Sequence, residues 1–346
     1  MNKVINIRNK TISQEGLFVI AEVGNQFGGS YEKARELVKV ASDAGADAVK
    51  FIFWYPDEIL ADKDTMYEYE TSEGKKTEPL YDVVDRLRLS PSEWWYVRSL
   101  CLDKGILFSS TVNCPSAFDL ANDIDTDFFK MSSWDWNFTD LWEWVAKTRK
   151  PVVADTGPVN TYEVARGMEI MKRWGNDKVV LLHCFHADQP GQVNMNSIPY
   201  MASAFDCLAG YSSADREDYY DAMSIALGGC ILEKRLTLDT EGGTLDDARS
   251  KNPEEFKRYI ETMRSLKEAM GKCDLIPSDA DLKARKKWFR RLVADTTILK
   301  GQPILSGFME AKRGETGVSS EHSHFFIGRN AKRDIQKNED ITWGDV

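Results

Sequence analysis

FVIAEVGNQFGGSYEKARELVKVASDAGADAVKF, residues 18–51, contains one complete strand–helix–strand unit, and its reading decides the fold. Phe18–Val23 is a short apolar run without alternation, as a parallel strand buried on both faces requires, and it ends in Glu22 and Asn25. Ser30–Ala44 follows with Ala34, Leu37, Val38 and Ala41 at helical spacing, Ser30 as N-cap and Gly45 as the stop. Ala48–Phe53 is a second apolar run, and it carries Lys50.

Outward from this unit the pattern recurs. Leu107–Thr111, Phe128–Met131, Pro151–Asp155, Val179–Cys184, Cys207–Tyr211 and Cys230–Leu236 bring the apolar runs to eight, and the last helix is expected at Pro253–Met270. Most runs end in polar groups: Ser109 to Thr111, then Lys130 with Ser133 and Asp135, Thr156 with Gly157, His183 with His186, Ser212 with Ser213, and Lys234 with Arg235. Eight such repeats predict a (β/α)8 TIM barrel over residues 1–270, with its chemistry on the C-terminal rim. Residues 271–285, with Pro277, Ser278 and several charges, read as a linker. From 286 to 346 the pattern changes to short β segments, Leu292–Ala294 and Phe325–Ile327 among them, which predicts a small β-rich domain that leans on a neighbour for stability. The insertion Tyr55–Ser90, rich in Asp, Glu and Tyr, is expected over the barrel mouth.

Composition narrows the function classes. The 346 residues are 42% hydrophobic and 29% charged, with a formal charge of −10, which argues against non-specific nucleic-acid binding. Residues 285–346 hold twelve Lys and Arg against eight Asp and Glu, leaving the rest of the chain at −14; the small domain reads as a basic lid for an acidic body. No run approaches the roughly 20 apolar residues of a membrane span, and Met1–Lys10 lacks a signal-peptide core, so a cytoplasmic protein is expected. The six cysteines are scattered without a CxxC pair and read as packing residues rather than disulfides or zinc ligands.

The segments FVIAEVGNQFGGS (18–30), AGADAVKF (44–51), FSST (108–111), FKMSS (129–133), DTG (155–157), VVLLHC (179–184), GYS (210–212), LEKRLTLD (232–239) and NPEEFKRYI (252–260) resemble, in order, motifs of the sialic acid (N-acetylneuraminate) synthase family. RRLVADTTILKGQPI (290–304), EAKRGETGVSS (310–320) and IGRNAKRDIQKNEDITWGDV (327–346) resemble that family's antifreeze-like (SAF) domain. The resemblance implies an enzyme, a transferase that condenses phosphoenolpyruvate with an N-acetylated amino-sugar aldehyde, usually with a divalent metal. It also implies a domain-swapped homodimer.

Carried over residue by residue, the resemblance makes Lys50 and Lys130 the grip on the donor, with the hydroxyls of Thr111 and Ser133 beside them and Tyr211 of the GYS motif among the substrate-binding residues. Glu22 matches the acid that orients the sugar, and Asp246 or Asp247 falls near a second sugar-binding aspartate. Arg313 matches an arginine that the swapped domain sends to the acetamido group, and Asp135 stands where the family has a proton-handling glutamate.

The departures alter the chemistry. The two metal-binding histidines of the family are Ala214 and Arg235 here; neither side chain offers a lone pair to a cation, so no metal and no other cofactor is expected. Arg235 is instead expected to bring a permanent positive charge and a donor fork to polarise the carbonyl. Asp155 replaces a phosphate-site serine, so it either pairs with Lys50, Lys130 or Arg235 or marks a substrate without phosphate there. His186 and Asp188 occupy positions usually held by asparagine and tyrosine, His186 as a candidate general base. A new metal site from Glu22, His186 and Asp188 is the competing reading of those residues.

Other residues have two readings as well. Lys50, Lys130 and Lys234 end strands where a desolvated lysine forms Schiff bases, but the resemblance gives the first two anion-binding roles. Trp134 and Trp136 follow the fourth strand, where a ring stacks on a sugar, whereas Trp142 and Trp144 read as packing. Three functions follow: a metal-independent synthase using phosphoenolpyruvate or a related enolate donor and a sugar-like aldehyde, an aldolase or lyase acting on a phosphate-free substrate with Asp155 or His186 as base, and a catalytically silent ligand-binding homologue.

Overall fold

The computed structural model describes residues 3–71, 74–185, 189–213 and 216–346, and the chain divides into two compact units, 1–271 and 272–346. In the first, strands β1 (Phe18–Glu22), β2 (Ala48–Ile52), β3 (Leu107–Val112), β4 (Phe128–Met131), β5 (Val152–Asp155), β6 (Val179–His183), β7 (Leu208–Ser212) and β8 (Ile231–Arg235) close into a parallel barrel, β8 pairing back onto β1. The (β/α)8 architecture is therefore present as the repeats predict. The first crossover helix, Tyr31–Asp43, buries Ala34, Leu37, Val38 and Ala41, and the Ser30 side chain accepts from the Lys33 N–H to cap it. Gly45, at φ +88°, lets the chain turn left-handed into β2.

Strand alternation sorts side chains into two cores. Val19, Ala21, Val49, Phe51, Phe108 and Phe129 face outward and pack beneath the helices. Phe18, Ile20, Ala48, Leu107, Phe128, Val153, Val180, Leu182 and Ile231 belong to a separate inner cluster. A hairpin that the sequence reading missed, Val4–Ile7 paired with Lys10–Ser13, adds Ile5, Ile7 and Ile12 to that inner cluster and plugs the N-terminal end. Full burial of one such isoleucine contributes about 2 kcal/mol. With the lower lumen filled by hydrocarbon, the inward positions two or four residues further along the strands are left for polar groups. They are Glu22, Lys50, Thr111, Lys130, Asp155, Glu233 and Arg235.

Within the insertion, helix Pro56–Ile59, an antiparallel pair of strands (Met66–Thr71 and Gly74–Pro79) and helix Leu80–Asp85 follow one another, and strand Met66–Thr71 runs beside the turn Asp247–Arg249. That turn follows β8, so the hairpin lies on the C-terminal side of the barrel.

The second unit has its own core of Leu292, Ala294, Ile298, Ile304, Val318, Phe326, Ala331, Ile335 and Ile341. Strand Arg290–Ala294 pairs with Met309–Arg313. Two expectations are corrected here. Part of the segment read as a linker is helical, because Ser278 and Asp281 form a capping box that starts helix Asp279–Trp288. Phe325–Ile327 is not a strand; Ser320–Phe325 forms a 3-10 turn, and the Phe326 side chain anchors it in the core. Among the described residues no helix is long and apolar enough to cross a membrane.

Candidate active site

Register brings the charged residues together. Arg235 lies opposite Glu22 in the β8–β1 pair, and Glu22 opposite Lys50 in the β1–β2 pair, so three side chains from adjacent strands share one level of the lumen. The Lys50 Nζ donates to Glu22 Oε1 at 2.8 Å and lies 3.4 Å from Glu233 Oε1. Lys130 Nζ is 2.5 Å from Asp155 Oδ2 and 3.6 Å from Glu233 Oε2. Arg235 Nε stands 3.8 Å from Glu22 Oε2 and 3.5 Å from Asp246 Oδ1. The result is an alternating array in which Glu233 bridges two lysines and Glu22 bridges a lysine and an arginine. Thr111 neighbours Lys130 in the β3–β4 register and is buried, as is Ser133 just beyond β4.

The array sets its own charge states. Burial opposes ionisation of Glu22, but Lys50 and Arg235, together with the Gly24 N–H, hold its pKa at about 2. Burial also opposes the Lys50 ammonium, yet Glu22 and Glu233 raise it above the ordinary lysine range. A protonated Lys50 held by two carboxylates is a poor Schiff-base nucleophile. Glu233 moves the other way: burial raises its pKa above the usual carboxylate range despite Lys130 and Lys50. Asp135, half-buried in the turn after β4, is pushed up by burial to about 7, which suits proton transfer near neutral pH.

Side-chain amides fix the carboxylates of Glu22 and Asp246. Asn25 Nδ2 donates to Asp246 Oδ2 at 2.7 Å, and Gln26 Nε2 donates to Glu22 Oε2 at 3.2 Å and to Ser250 Oγ at 3.1 Å. Between the two candidate aspartates the structure separates the roles. Asp246 faces Arg235, whereas Asp247 accepts from Thr237 Oγ1 at 2.5 Å and from the Thr244 N–H at 2.8 Å and so pins its own loop.

Several sequence-predicted residues lie elsewhere. Tyr211 does not line the lumen: alternation turns it into the outer core, where it is fully buried with its ring stacked on Phe185. Lys234 also points outward, donating to Ser213 Oγ at 2.9 Å and to Asp221 Oδ2 at 3.0 Å. Trp136 is buried against Trp142, and its indole N–H is donated to the Asp155 carbonyl at 2.7 Å, so it supports the end of β5 rather than stacking on a sugar. Trp134 is exposed. His183 is a wall residue whose Nε2 lies 2.7 Å from the Val193 carbonyl oxygen. Arg313 ends strand Met309–Arg313 in the small unit, its guanidinium 5.9 Å from the Trp288 ring centroid. His186, Asp188 and Ala214 lie outside the described residues.

Sequence reasoning missed Glu233. Its signal was parity: once Arg235 faces the lumen, Glu233 must face it too and Lys234 must face away. The Arg235 guanidinium offers a cation no lone pair, and among the described residues no group of three or more His, Cys, Asp or Glu is arranged to hold a metal ion. Five of the six cysteines are buried, and all are free thiols.

Comparison with known proteins bears on the family and the fold. The family model described as "NeuB family" matches residues 37–274. An uncharacterised protein of Methanocaldococcus jannaschii is 30% identical over 96% of this chain and 95% of its own length. The N,N'-diacetyllegionaminic acid synthase of Legionella pneumophila is 26% identical over 100% of this chain and 99% of its own. In fold, the chain is similar to the N-acetylneuraminic acid synthetase of Leptospira borgpetersenii, with a TM-score of 0.73, 22% identity and coverage of 82% of this chain and 95% of that one. On the matched family model and these full-length relatives, the chain belongs to the NeuB family.

Proposed function

We propose that the protein is a carbon–carbon bond-forming synthase that joins phosphoenolpyruvate or a related enolate donor to a sugar-like aldehyde, with Arg235 in place of a divalent metal. The observation that carries this reading is the Arg235–Glu22–Lys50 array, which sets a fixed cation and an acid side by side at the end of adjacent strands. In this reading Lys50, Lys130, Thr111 and Ser133 hold the donor, and Glu22 and Asp246 orient the acceptor hydroxyls. Arg235 donates to the aldehyde oxygen as charge develops there, and Asp135 moves the proton. The synthase relatives, which include a pseudaminic acid synthase of Campylobacter jejuni 26% identical over 95% of the chain, support an amino-sugar type of acceptor. His186 and Asp188 remain candidates from sequence for the loop after β6. The small unit is read as the antifreeze-like domain of a swapped homodimer, in which Arg313 reaches the partner's substrate.

One observation favours the second reading, an aldolase or lyase working without phosphate. Lys130 already has a carboxylate, Asp155, at 2.5 Å. A phosphoryl charge brought to about 4 Å from that carboxylate is repelled by roughly 4 kcal/mol per charge pair at an effective dielectric constant of about 20. Isothermal titration with phosphoenolpyruvate, in chelator and again with manganese, tests the proposal. Binding in chelator that manganese leaves unchanged supports a metal-free synthase; binding that requires manganese refutes the role given to Arg235.

A further inference from the structure

Behind the barrel wall, at the end of β8, lies a buried charged cluster that the proposed reaction does not use. Lys234 is 1% exposed and Asp221 0% exposed. The Lys234 ammonium donates to three separate places: Ser213 Oγ at 2.9 Å, just past β7, the Glu217 carbonyl in the loop that follows, and Asp221 Oδ2 at 3.0 Å on helix Tyr219–Ala226. Asp221 Oδ1 accepts from the Tyr259 hydroxyl at 2.7 Å, which brings in helix Pro253–Ala269. Asp218 Oδ1 stands 3.5 Å from the same ammonium and 2.9 Å from Lys251 Nζ, and the Lys251 N–H donates to the Arg235 carbonyl at 3.1 Å.

A buried ion pair replaced by packed hydrocarbon commonly loses no stability, so what Lys234 and Asp221 contribute is direction. Their place in the barrel shows what is directed. On one side β8 pairs with β1 over five residues, ending at Arg235 opposite Glu22. On the other, among the described residues, it pairs with β7 at Leu232 opposite Tyr211 and at Glu233 opposite Ser212. Lys234 and Arg235 lie past that second ladder, and the Lys234 side chain ties β8 to the end of β7 from outside the barrel. Arg235 follows at a Cα separation of about 3.8 Å and points the opposite way, so a rotation of the strand end that frees Lys234 swings the guanidinium across the lumen.

We infer that Lys234, backed by Asp221 and Tyr259, is the positioning residue for Arg235, setting the angle at which β8 delivers the guanidinium between Glu22 and Asp246. This rests on the role given to Arg235 above and adds the group that aims it.

Two readouts on the full-length protein test it, and the first needs no substrate. With 15N-labelled arginine, the Arg235 Nε–H signal is identified by NMR from its loss in Arg235→Ala. Lys234→Met keeps an unbranched side chain without its donors and is expected to shift or broaden that signal. Tyr259→Phe keeps the ring, releases one Asp221 oxygen and is expected to shift the signal less in the same direction; it decides the matter if Lys234→Met does not fold. The second readout is phosphate release from phosphoenolpyruvate with N-acetylated amino-sugar aldehydes. Lys234→Met is expected to lower kcat at least about tenfold while KM for phosphoenolpyruvate changes less than about twofold, because the donor is held from other strands. An Arg235 signal unchanged in both variants overturns the inference whatever the activity, and so does an unchanged kcat in a protein that turns over. A lower urea midpoint with signal and kcat unchanged makes the cluster purely structural, which is the same refutation. If the signal shifts as expected but wild type releases no phosphate with any aldehyde, the synthase reading falls and the positioning of Arg235 stands.

Discussion

Replacing Glu22 by glutamine puts the electrostatics of the lumen to a quantitative test. Glu22 is buried, with Oε1 2.8 Å from Lys50 and Oε2 3.8 Å from Arg235. Burial would raise its pKa, but these cations hold it at about 2 in the fold, against 4.5 for a free glutamate. That difference corresponds to about 3 kcal/mol of folding free energy at neutral pH. Because the folded pKa is the lower one, the contribution is complete above about pH 4.5 and is lost as pH falls towards 2. Glutamine keeps the shape but removes the charge, leaving Lys50 with Glu233 at 3.4 Å and Arg235 with Asp246 at 3.5 Å. Urea unfolding followed by far-UV circular dichroism should show Glu22→Gln less stable than wild type by about 3 kcal/mol at pH 7, and by less than half of that at pH 3. A deficit below about 1 kcal/mol at pH 7, or one of equal size at both pH values, refutes the argument.

Three further outcomes follow from the same geometry. Arg235→Ala should abolish turnover while leaving the circular dichroism of a folded protein, with a lowered urea midpoint because Glu22 and Asp246 lose a cation; undiminished activity would refute the replacement of metal by guanidinium. Asp135, held at about 7 by burial, should give the rate an inflection near that pH, and Asp135→Asn should remove it; an inflection that persists in the variant assigns it to another group. Gly210 faces the lumen from β7, and a Cβ there would stand 2.0 Å from the Ile231 carbonyl oxygen. Gly210→Ala should therefore force β7 and β8 apart and cost about 2 kcal/mol or more, and an unchanged thermal midpoint would show that the barrel yields more easily than its packing implies.

Much of the fold was legible because it is written in local periodicity. Eight apolar runs alternating with amphipathic stretches leave little choice but a parallel barrel, and the helix after β1 carries its own cap at Ser30 and its own stop at Gly45. The N-terminal hairpin was not legible, since four-residue strands carry too short a pattern and their burial depends on an inner cluster built from eight distant strands. Phe325–Ile327 looked like a strand for the opposite reason: one apolar triplet was read as a period, and Phe326 is a single anchor in a 3-10 turn.

The sequence by itself determined the barrel, the family resemblance, and the presence of Glu22, Lys50, Lys130, Asp155 and Arg235 at strand ends. Only the tertiary structure decided which neighbour in each pair enters the lumen: Glu233 and not Lys234, Asp246 and not Asp247, and the exclusion of Tyr211. It also decided that Asp155 pairs with Lys130 and that Glu233 lies between two lysines. The physical reason is that a strand reverses its side-chain direction at every residue, so a shift of one position exchanges lumen for outer core. Ion pairs across the barrel join residues up to about two hundred positions apart, where only the register of neighbouring strands, and no local pattern, sets the distance.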